Sequence, residues 1–282
     1  MTTLYLTRPQ ITLRGDRTHF TLHHRHLISS RYPISNVQQI VCFEGAQLHR
    51  SSQREIQRQR IPLLQLDRTG AICGRWNPAI SPVQRHASPS HYLDLAQWLA
   101  QSHLKEAMDL LKHLKGTPTL AATRSILALL HDSLGDADTL DLVRGYYATA
   151  TAYYDRALRE SLTAYLLQLN GSRPLMSLSQ LLRVGESLLH HRLELALSHA
   201  HLDLSLAYLH SPTDCEVPLV CDGVAVLRPG FVDGFVWRWL HRCSGGSRTW
   251  LGFCTAWERQ PLLGDCLDEW VERLSRWSDQ TT

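Results

Sequence analysis

A chain of 282 residues with 44% hydrophobic and 20% charged residues has the composition of one large or two ordinary globular domains, and this excludes a disordered chain. Its formal charge of +3 is too small to mark a nucleic-acid binder by itself, and no apolar run approaches the ~18 residues of a membrane span. The opening residues Met1-Thr2-Thr3-Leu4-Tyr5-Leu6 lack a charged start followed by a long apolar core, so a cytoplasmic chain without a secretory signal is expected.

The seven cysteines include no Cys-x-x-Cys pair. That spacing suits neither a zinc site nor a disulfide framework, so reduced and mostly buried thiols are expected. Lysine occurs only at Lys105, Lys112 and Lys115, leaving twenty-six of the 29 basic residues as arginine. The planar guanidinium fork suits phosphate, although a GC-rich genome would produce the same bias.

In chain order, Leu4-Tyr5-Leu6, Ile11-Thr12-Leu13, His19-Phe20-Thr21-Leu22 and Ile40-Val41-Cys42-Phe43 read as short strands, with a turn at Arg14-Gly15-Asp16. Ser51 to Arg60 is polar enough for a short surface helix. Ile61-Pro62-Leu63-Leu64-Gln65-Leu66 and Ala71-Ile72-Cys73-Gly74 flank Asp67-Arg68-Thr69-Gly70, a hairpin signal. From Trp76 to Ser90, Pro78, Pro82 and Pro89 break any period, which places a linker there.

Beyond Ser90 the period becomes helical. Leu93, Ala96, Leu99, Ala107, Leu110, Leu111 and Leu114 share a face, which Gly116-Thr117-Pro118 ends. A short helix through Ile126, Leu127 and Leu130 ends at Gly135. Apolar residues then recur at three- and four-residue steps from Val143 to Leu169, the pattern of a long amphipathic helix, and Asn170-Gly171 suits its C-terminus. Leu178 to Leu193 marks another helix, and more follow after Pro218, after Gly230 and through Leu267, Trp270, Val271, Leu274 and Trp277. The expected fold class is α+β: a small β-rich N-terminal domain over residues 1–80, a linker over 81–90, and a larger all-helical C-terminal domain over 91–282.

Three patterns, in this order and spacing, narrow the architecture. Val41-Cys42-Phe43-Glu44-Gly45 precedes a polar helix, then Arg60-Ile61-Pro62-Leu63-Leu64 and the Gly70 turn. Arg144-Gly145-Tyr146-Tyr147 leads to Tyr153-Tyr154. Leu209-His210 is followed by Pro218-Leu219-Val220-Cys221-Asp222-Gly223-Val224-Ala225-Val226-Leu227-Arg228-Pro229 and by Val232-Asp233. Together they resemble the CRISPR-associated adaptation integrase family, nuclease-like proteins that insert new spacers into CRISPR arrays.

The resemblance implies a divalent metal, Mg²⁺ or Mn²⁺, held by a Glu, a His and an acidic residue, at which a DNA 3′-hydroxyl attacks a phosphodiester. Such ions demand hard, preferably anionic oxygen ligands. His210 and Asp222 occupy family positions. Ala225 stands where a second acid is expected three residues on, and Tyr147 (Tyr146 if the register slips) stands at the Glu position. A neutral phenol is a poor ligand for these ions. The expectation is a catalytically impaired DNA-binding subunit of a spacer-acquisition complex. The alternatives are an active metal-dependent endonuclease or integrase with displaced ligands, for which Glu216, Asp233 and Glu186 are candidates, and an interaction scaffold without DNA binding. By resemblance, the partners are double-stranded DNA (prespacer and CRISPR repeat) and a small ferredoxin-like protein met through the helical domain. The chain itself would form a homodimer through the β-rich domain, or a mixed complex with an active paralogue.

Other residues admit two readings each. Arg54, Arg58 and Arg60 beside Arg50 form either a phosphate-contacting patch or a solvated helix face. Arg173 matches an arginine-rich stretch of the family, and the resemblance implies that it faces DNA. Tyr146, Tyr147, Tyr153 and Tyr154 suit base stacking, or the core. His19, His23, His24 and His26 suit a metal on one face, or plain surface. Asp222 would alternatively cap or orient its helix. Trp270 and Trp277 share a helical face on which a partner would dock.

Overall fold

The computed structural model describes residues 2–25, 27–78, 92–114, 119–168, 176–210, 213, 215–242, 249–260 and 263–279. His26, the 81–90 linker, Gly116-Thr117-Pro118, Asn170-Gly171 and Arg173 lie outside the described residues, as does the side chain of Trp277.

The N-terminal part holds two four-stranded sheets. In the first, β1 (Thr2–Leu6), β5 (Val37–Phe43) and β7 (Leu63–Leu66) run parallel, and β8 (Ile72–Trp76) closes the edge antiparallel to β7. In the second, β4 (Leu27–Pro33), β3 (His19–His24) and β2 (Ile11–Gly15) form an antiparallel meander, with the two-residue β6 (Gln47–Leu48) parallel to β2. Helix α1 (Arg50–Arg58) lies over β2. The sequence reading identified the apolar strands. It missed β4, whose residues are mostly exposed, and the two-residue β6, because neither carries an alternating apolar face.

Strand β5 explains how the two parts of the chain join. A strand covered on both faces reads as a continuous apolar run, and Ile40-Val41-Cys42-Phe43 is such a run. Ile40 and Cys42 enter a core between the two sheets with Leu6, Leu13 and Phe20. Val41 and Phe43, together with Leu64 and Leu66 of β7, point the other way into the helical core.

The helices are α2 (Tyr92–His113), α3 (Thr119–Gly135), α4 (Leu140–Gln168), α5 (Leu178–His199), α6 (Pro218–Arg228), α7 (Gly234–Arg242), α8 (Trp250–Glu258) and α9 (Leu263–Asp279), with a π-turn at Pro229–Asp233. Two differ from expectation. Helix α3 is longer than the short segment read from Ile126 to Leu130, and α8 was not singled out. Ser177 starts α5 with a reciprocal capping box to Gln180. Among the described residues, no helix is long and apolar enough to cross a membrane.

The β7–β8 turn docks on α5. Gly70 adopts φ +88°, and a Cβ there would lie 2.5 Å from Val184 Cγ2. Ser187 Oγ donates to Gly70 O at 2.8 Å and Gln180 Nε2 to Arg68 O at 2.8 Å. The Tyr5 hydroxyl of β1 donates to Glu258 of α8, which Arg192 of α5 also pairs.

The structure departs from two expectations. Trp270 does not face a partner: it is 5% exposed, and its six-membered edge packs against Gly223. A Cβ on Gly223 would lie 2.6 Å from Trp270 Cη2, so only glycine on α6 admits the ring. The cysteines are not all thiols. Cys215 and Cys221 form a disulfide with Cα atoms 6.9 Å apart, because the turn entering α6 brings residues six apart in sequence together. Cys42 and Cys254 are buried thiols, as expected, while Cys73 is exposed.

Candidate functional site

The segment 208–210 and the second turn of α6 meet at Asp222, which is fully buried. Its Oδ2 accepts the backbone N–H groups of Tyr208 at 2.8 Å and Leu209 at 3.2 Å. Its Oδ1 accepts His210 N at 2.9 Å and His210 Nδ1 at 2.7 Å. A carboxylate fully engaged with donors orients its partner. The proton between them therefore sits on His210 Nδ1, and the His210 side chain is one-third exposed. Asp222 thus orients the chain that carries His210, rather than capping its own helix.

Tyr147 of α4 stands over this pair, its ring centroid 6.0 Å from that of His210. It is 9% exposed, and burial pushes its phenol up to about 12. Behind it lies His103 of α2, 5.2 Å from Tyr147 between ring centroids. His103 Nδ1 donates to the Ala225 carbonyl at 2.6 Å, and burial lowers this imidazole to about 4. Ala225, 8% exposed, contributes a methyl group where the family resemblance expects an acid. Tyr146 is partly buried against the helical core.

The donor set does not fit Mg²⁺ or Mn²⁺. These ions want several anionic oxygens, whereas Asp222 has its lone pairs engaged, Tyr147 is a neutral phenol and Ala225 has no donor. Among the described residues, no group of three His, Cys, Asp or Glu side chains could hold a metal.

The displaced-ligand candidates lie elsewhere. Glu216 is exposed and pairs with Arg75 of β8 at 2.7 Å; Arg75 also reaches buried Glu194 at 3.4 Å. Glu186 and Asp233 converge with Asp155 on one guanidinium, that of Arg228. Arg228 Nε lies 3.3 Å from Glu186 and 3.1 Å from Asp233, and Nη2 pairs with Asp155. The Tyr154 hydroxyl donates to Asp233 Oδ2 at 2.7 Å. Burial pushes Asp233 up to about 6 against the pull of Arg228. Three carboxylates therefore gather, with an arginine already between them.

The remaining candidates are dispersed. Arg54, Arg58 and Arg60 are all exposed on or just after α1. Arg58 pairs with Glu55 at 2.6 Å, and Arg60 donates to Pro78 O at 3.3 Å. Tyr147 and Tyr154 are buried, whereas Tyr153 is 43% exposed. His19, His23 and His24 are half-buried along β3. Sequence reasoning missed His103, Asp155 and Arg228. Arg228 lay within a quoted motif. His103 sits among the apolar residues of α2, and a polar residue on an apolar stripe was its only signal.

No curated protein sequence matches the chain. The protein-family model described as CRISPR associated protein Cas1 matches residues 4–244. Among solved structures, the chain is similar to a CAS1 protein from Thermotoga maritima, at 16% identity and TM-score 0.75, over 98% of this chain and 97% of that one. It is similar to a chain of a Cas6-RT-Cas1–Cas2 complex, at 15% identity and TM-score 0.75, over 99% of this chain and 35% of that one. A casposase bound to integration product matches at 15% identity and TM-score 0.68, over 92% of this chain and 82% of that one. These likenesses show a shared fold, and the family match over most of the sequence shows that the chain belongs to the CRISPR associated protein Cas1 family.

Proposed function

We propose that the chain is a DNA-binding subunit of a CRISPR spacer-acquisition complex that performs no metal-dependent chemistry of its own. Membership of the Cas1 family supports the spacer-acquisition role. The observation that carries the finer reading is Asp222, whose two oxygens are occupied by Tyr208, Leu209 and His210, with Tyr147 and Ala225 at the positions where the family resemblance expects acids.

In this reading the chain has a β-rich domain over residues 1–80 that dimerises and a helical domain over 91–282 that meets DNA and a small ferredoxin-like partner. Arg54, Arg58 and Arg60 contribute phosphate contacts, so binding weakens with salt. Similar solved structures include a Cas1–DNA complex and Cas1–Cas2 assemblies, which supports partners of these kinds. An active paralogue in a mixed complex would supply the chemistry.

The test is strand transfer. The purified chain, a labelled prespacer duplex, a CRISPR leader-repeat plasmid, the small partner and Mn²⁺ are combined, with gel shifts run in parallel. Salt-sensitive binding that is indifferent to EDTA, without strand transfer, is the expected result. Strand transfer lost in His210→Ala would overturn the non-catalytic reading and favour displaced ligands.

A second reading rests on the three carboxylates at Arg228. They are the acidic cluster from which an active site would be rebuilt, and Arg228 would have to withdraw for a metal to enter. Divalent-ion binding that appears in Arg228→Met and is absent from the native chain would show that the guanidinium holds the place of an ion.

A further inference from the structure

A groove of about 1310 Å³ opens between α2, α6, the π-turn, α7, α8 and α9. Neither the His210–Asp222 pair nor Arg228 and its three acids line it. Its α8 and α9 wall lies beyond residue 244, where the family match ends.

Two features of its lining restrict what it would take. The wall is aromatic: Trp98 and Phe231 are partly exposed in it, with Phe235, Trp239 and Trp270 buried behind them. Four arginines line it, at positions 238, 242, 259 and 273, against two acids, Glu106 and Glu269. Arg273 lies over Trp98, 4.3 Å from the ring centroid. Arg238, Arg242 and Arg259 make no ion pair among the described residues. Arg238 and Arg242 are one turn apart on α7, and both burial and the neighbouring guanidinium disfavour the charge on Arg238. An anion placed between them relieves both effects.

These features exclude simpler occupants. An inorganic anion would meet the arginines and leave the aromatic wall uncovered. A fatty carboxylate would cover the wall and bring a single charge to four arginines. A planar heterocycle carrying phosphate satisfies both, because it offers an apolar face and a charge suited to guanidinium.

We propose that this groove binds a nucleoside phosphate, with the base against the aromatic wall and the phosphate on Arg238 and Arg242. The same chemistry is offered by a free nucleotide and by the terminal nucleotide of a single strand. The proposal does not depend on the chain's role in spacer acquisition.

The test uses the full chain and tryptophan fluorescence, backed by calorimetry. The probes are deoxyadenosine triphosphate, adenosine, inorganic pyrophosphate and a short single-stranded oligonucleotide. The nucleotide is expected to bind saturably, and adenosine or pyrophosphate alone about tenfold more weakly or worse. Arg238→Ala with Arg242→Ala, at exposed positions, should weaken nucleotide binding about tenfold without changing thermal stability. Thr255→Trp, projecting from exposed α8 into the groove, should abolish it. Tighter binding of the free nucleotide assigns the site to nucleotides, and tighter binding of the oligonucleotide assigns it to strand ends; both support the proposal. No saturable binding in the millimolar range, equal binding of pyrophosphate and nucleotide, or indifference to both variants would overturn it.

Discussion

The imidazole of His210 donates from Nδ1 to Asp222 at 2.7 Å, and the same carboxylate accepts the backbone N–H of His210 at 2.9 Å. One acid therefore fixes both the ring and the chain that carries it. Two more amides, from Tyr208 and Leu209, complete its coordination.

This arrangement separates two substitutions that a metal-ligand role would treat alike. Asp222→Asn keeps the shape but turns an amide donor toward donors in a buried site. It should cost about 2–4 kcal/mol of stability. His210→Ala leaves three backbone donors on the acid and should cost about 1 kcal/mol. Urea denaturation compares them directly. If the asparagine variant is no less stable than the alanine variant, Asp222 is not the anchor described here.

Gly70 makes a prediction on which the sequence and the packing agree. Its positive φ disfavours any side chain, and a Cβ would meet Val184 Cγ2 at 2.5 Å and Val184 N at 3.1 Å. Gly70→Ala should therefore lose about 2–4 kcal/mol, from strain and overpacking together. Thermal unfolding of this variant checks it. A loss below about 1 kcal/mol, the size of a backbone effect alone, would mean that the hairpin tip is free to lift off α5.

The hairpin was legible because its signal is local: a polar four-residue link ending in glycine between two apolar runs. The long helix α4 and the double-faced strand β5 were legible from the same kind of signal, apolar period and apolar run. What Gly70 touches was not, since Val184 lies more than a hundred residues away in sequence. The site divides in the same way. His210, Asp222, Tyr147 and Ala225 could be named by position within motifs. That Asp222 spends its lone pairs on three neighbouring amides is a property of the turn at 208–210, which has no sequence signature. His103 was hidden because it sits on an apolar face, where periodicity predicts a hydrophobic side chain. Trp270 was misread because the amphipathic face of α9 was identified without the α6 glycine that receives its ring. The Cys215–Cys221 pair was missed because counting cysteines carries no information about a local turn.

His103 gives a pH prediction. Burial holds it at about 4, against an ordinary value of 6.5; Arg228 and His210 lower it further, while the Ala225 carbonyl and Asp155 raise it. Below pH 6.5 the unfolded chain takes up a proton that the folded chain refuses. Stability therefore falls as pH drops from about 6.5 to about 4, by about 1.4 kcal/mol per pH unit for each such group. His190 and His191, also lowered to about 4 by burial, act in the same direction. Asp233 opposes them: its folded value of about 6 makes its contribution fall as pH rises from about 4 to about 6. The clean observable is the difference between the native chain and His103→Gln, which keeps a donor for the Ala225 carbonyl. Its stability should depend less steeply on pH, by one proton. Parallel curves would mean that His103 is accessible to water.

The cysteines predict a labelling pattern. Cys73 is exposed and should alkylate readily under native, non-reducing conditions. Cys42 and Cys254 are buried, and burial pushes the Cys42 thiol up to about 12, so both should react only after unfolding. Cys215 and Cys221 should stay unlabelled even in denaturant until a reductant is added. Closing so short a loop is worth about 2 kcal/mol, so Cys215→Ser should lower stability by that order. Labelling of Cys215 in the native, unreduced chain would show the bond to be absent.

The reading of Tyr147 and Ala225 as lost acids predicts what restoring them would do. Tyr147→Glu with Ala225→Asp would add two carboxylates to His210 at the positions where the family resemblance expects acids, a three-ligand set of the kind absent among the described residues. Without metal, two unpaired acids at positions only 9% and 8% exposed should destabilise the fold by several kcal/mol. With Mn²⁺ the loss should be reversed, by about 2.7 kcal/mol when the ion is at a hundredfold excess over its dissociation constant. The native chain, with no such set among the described residues, should show no Mn²⁺-dependent shift in Tm. A differential melting series with and without EDTA distinguishes the cases. If the native chain is stabilised as strongly as the double variant, His210 and Asp222 already hold an ion with partners outside the described residues, and the non-catalytic reading fails. If neither responds, the turn that commits Asp222 to the backbone of 208–210 controls the site, and restoring the acids alone cannot rebuild it.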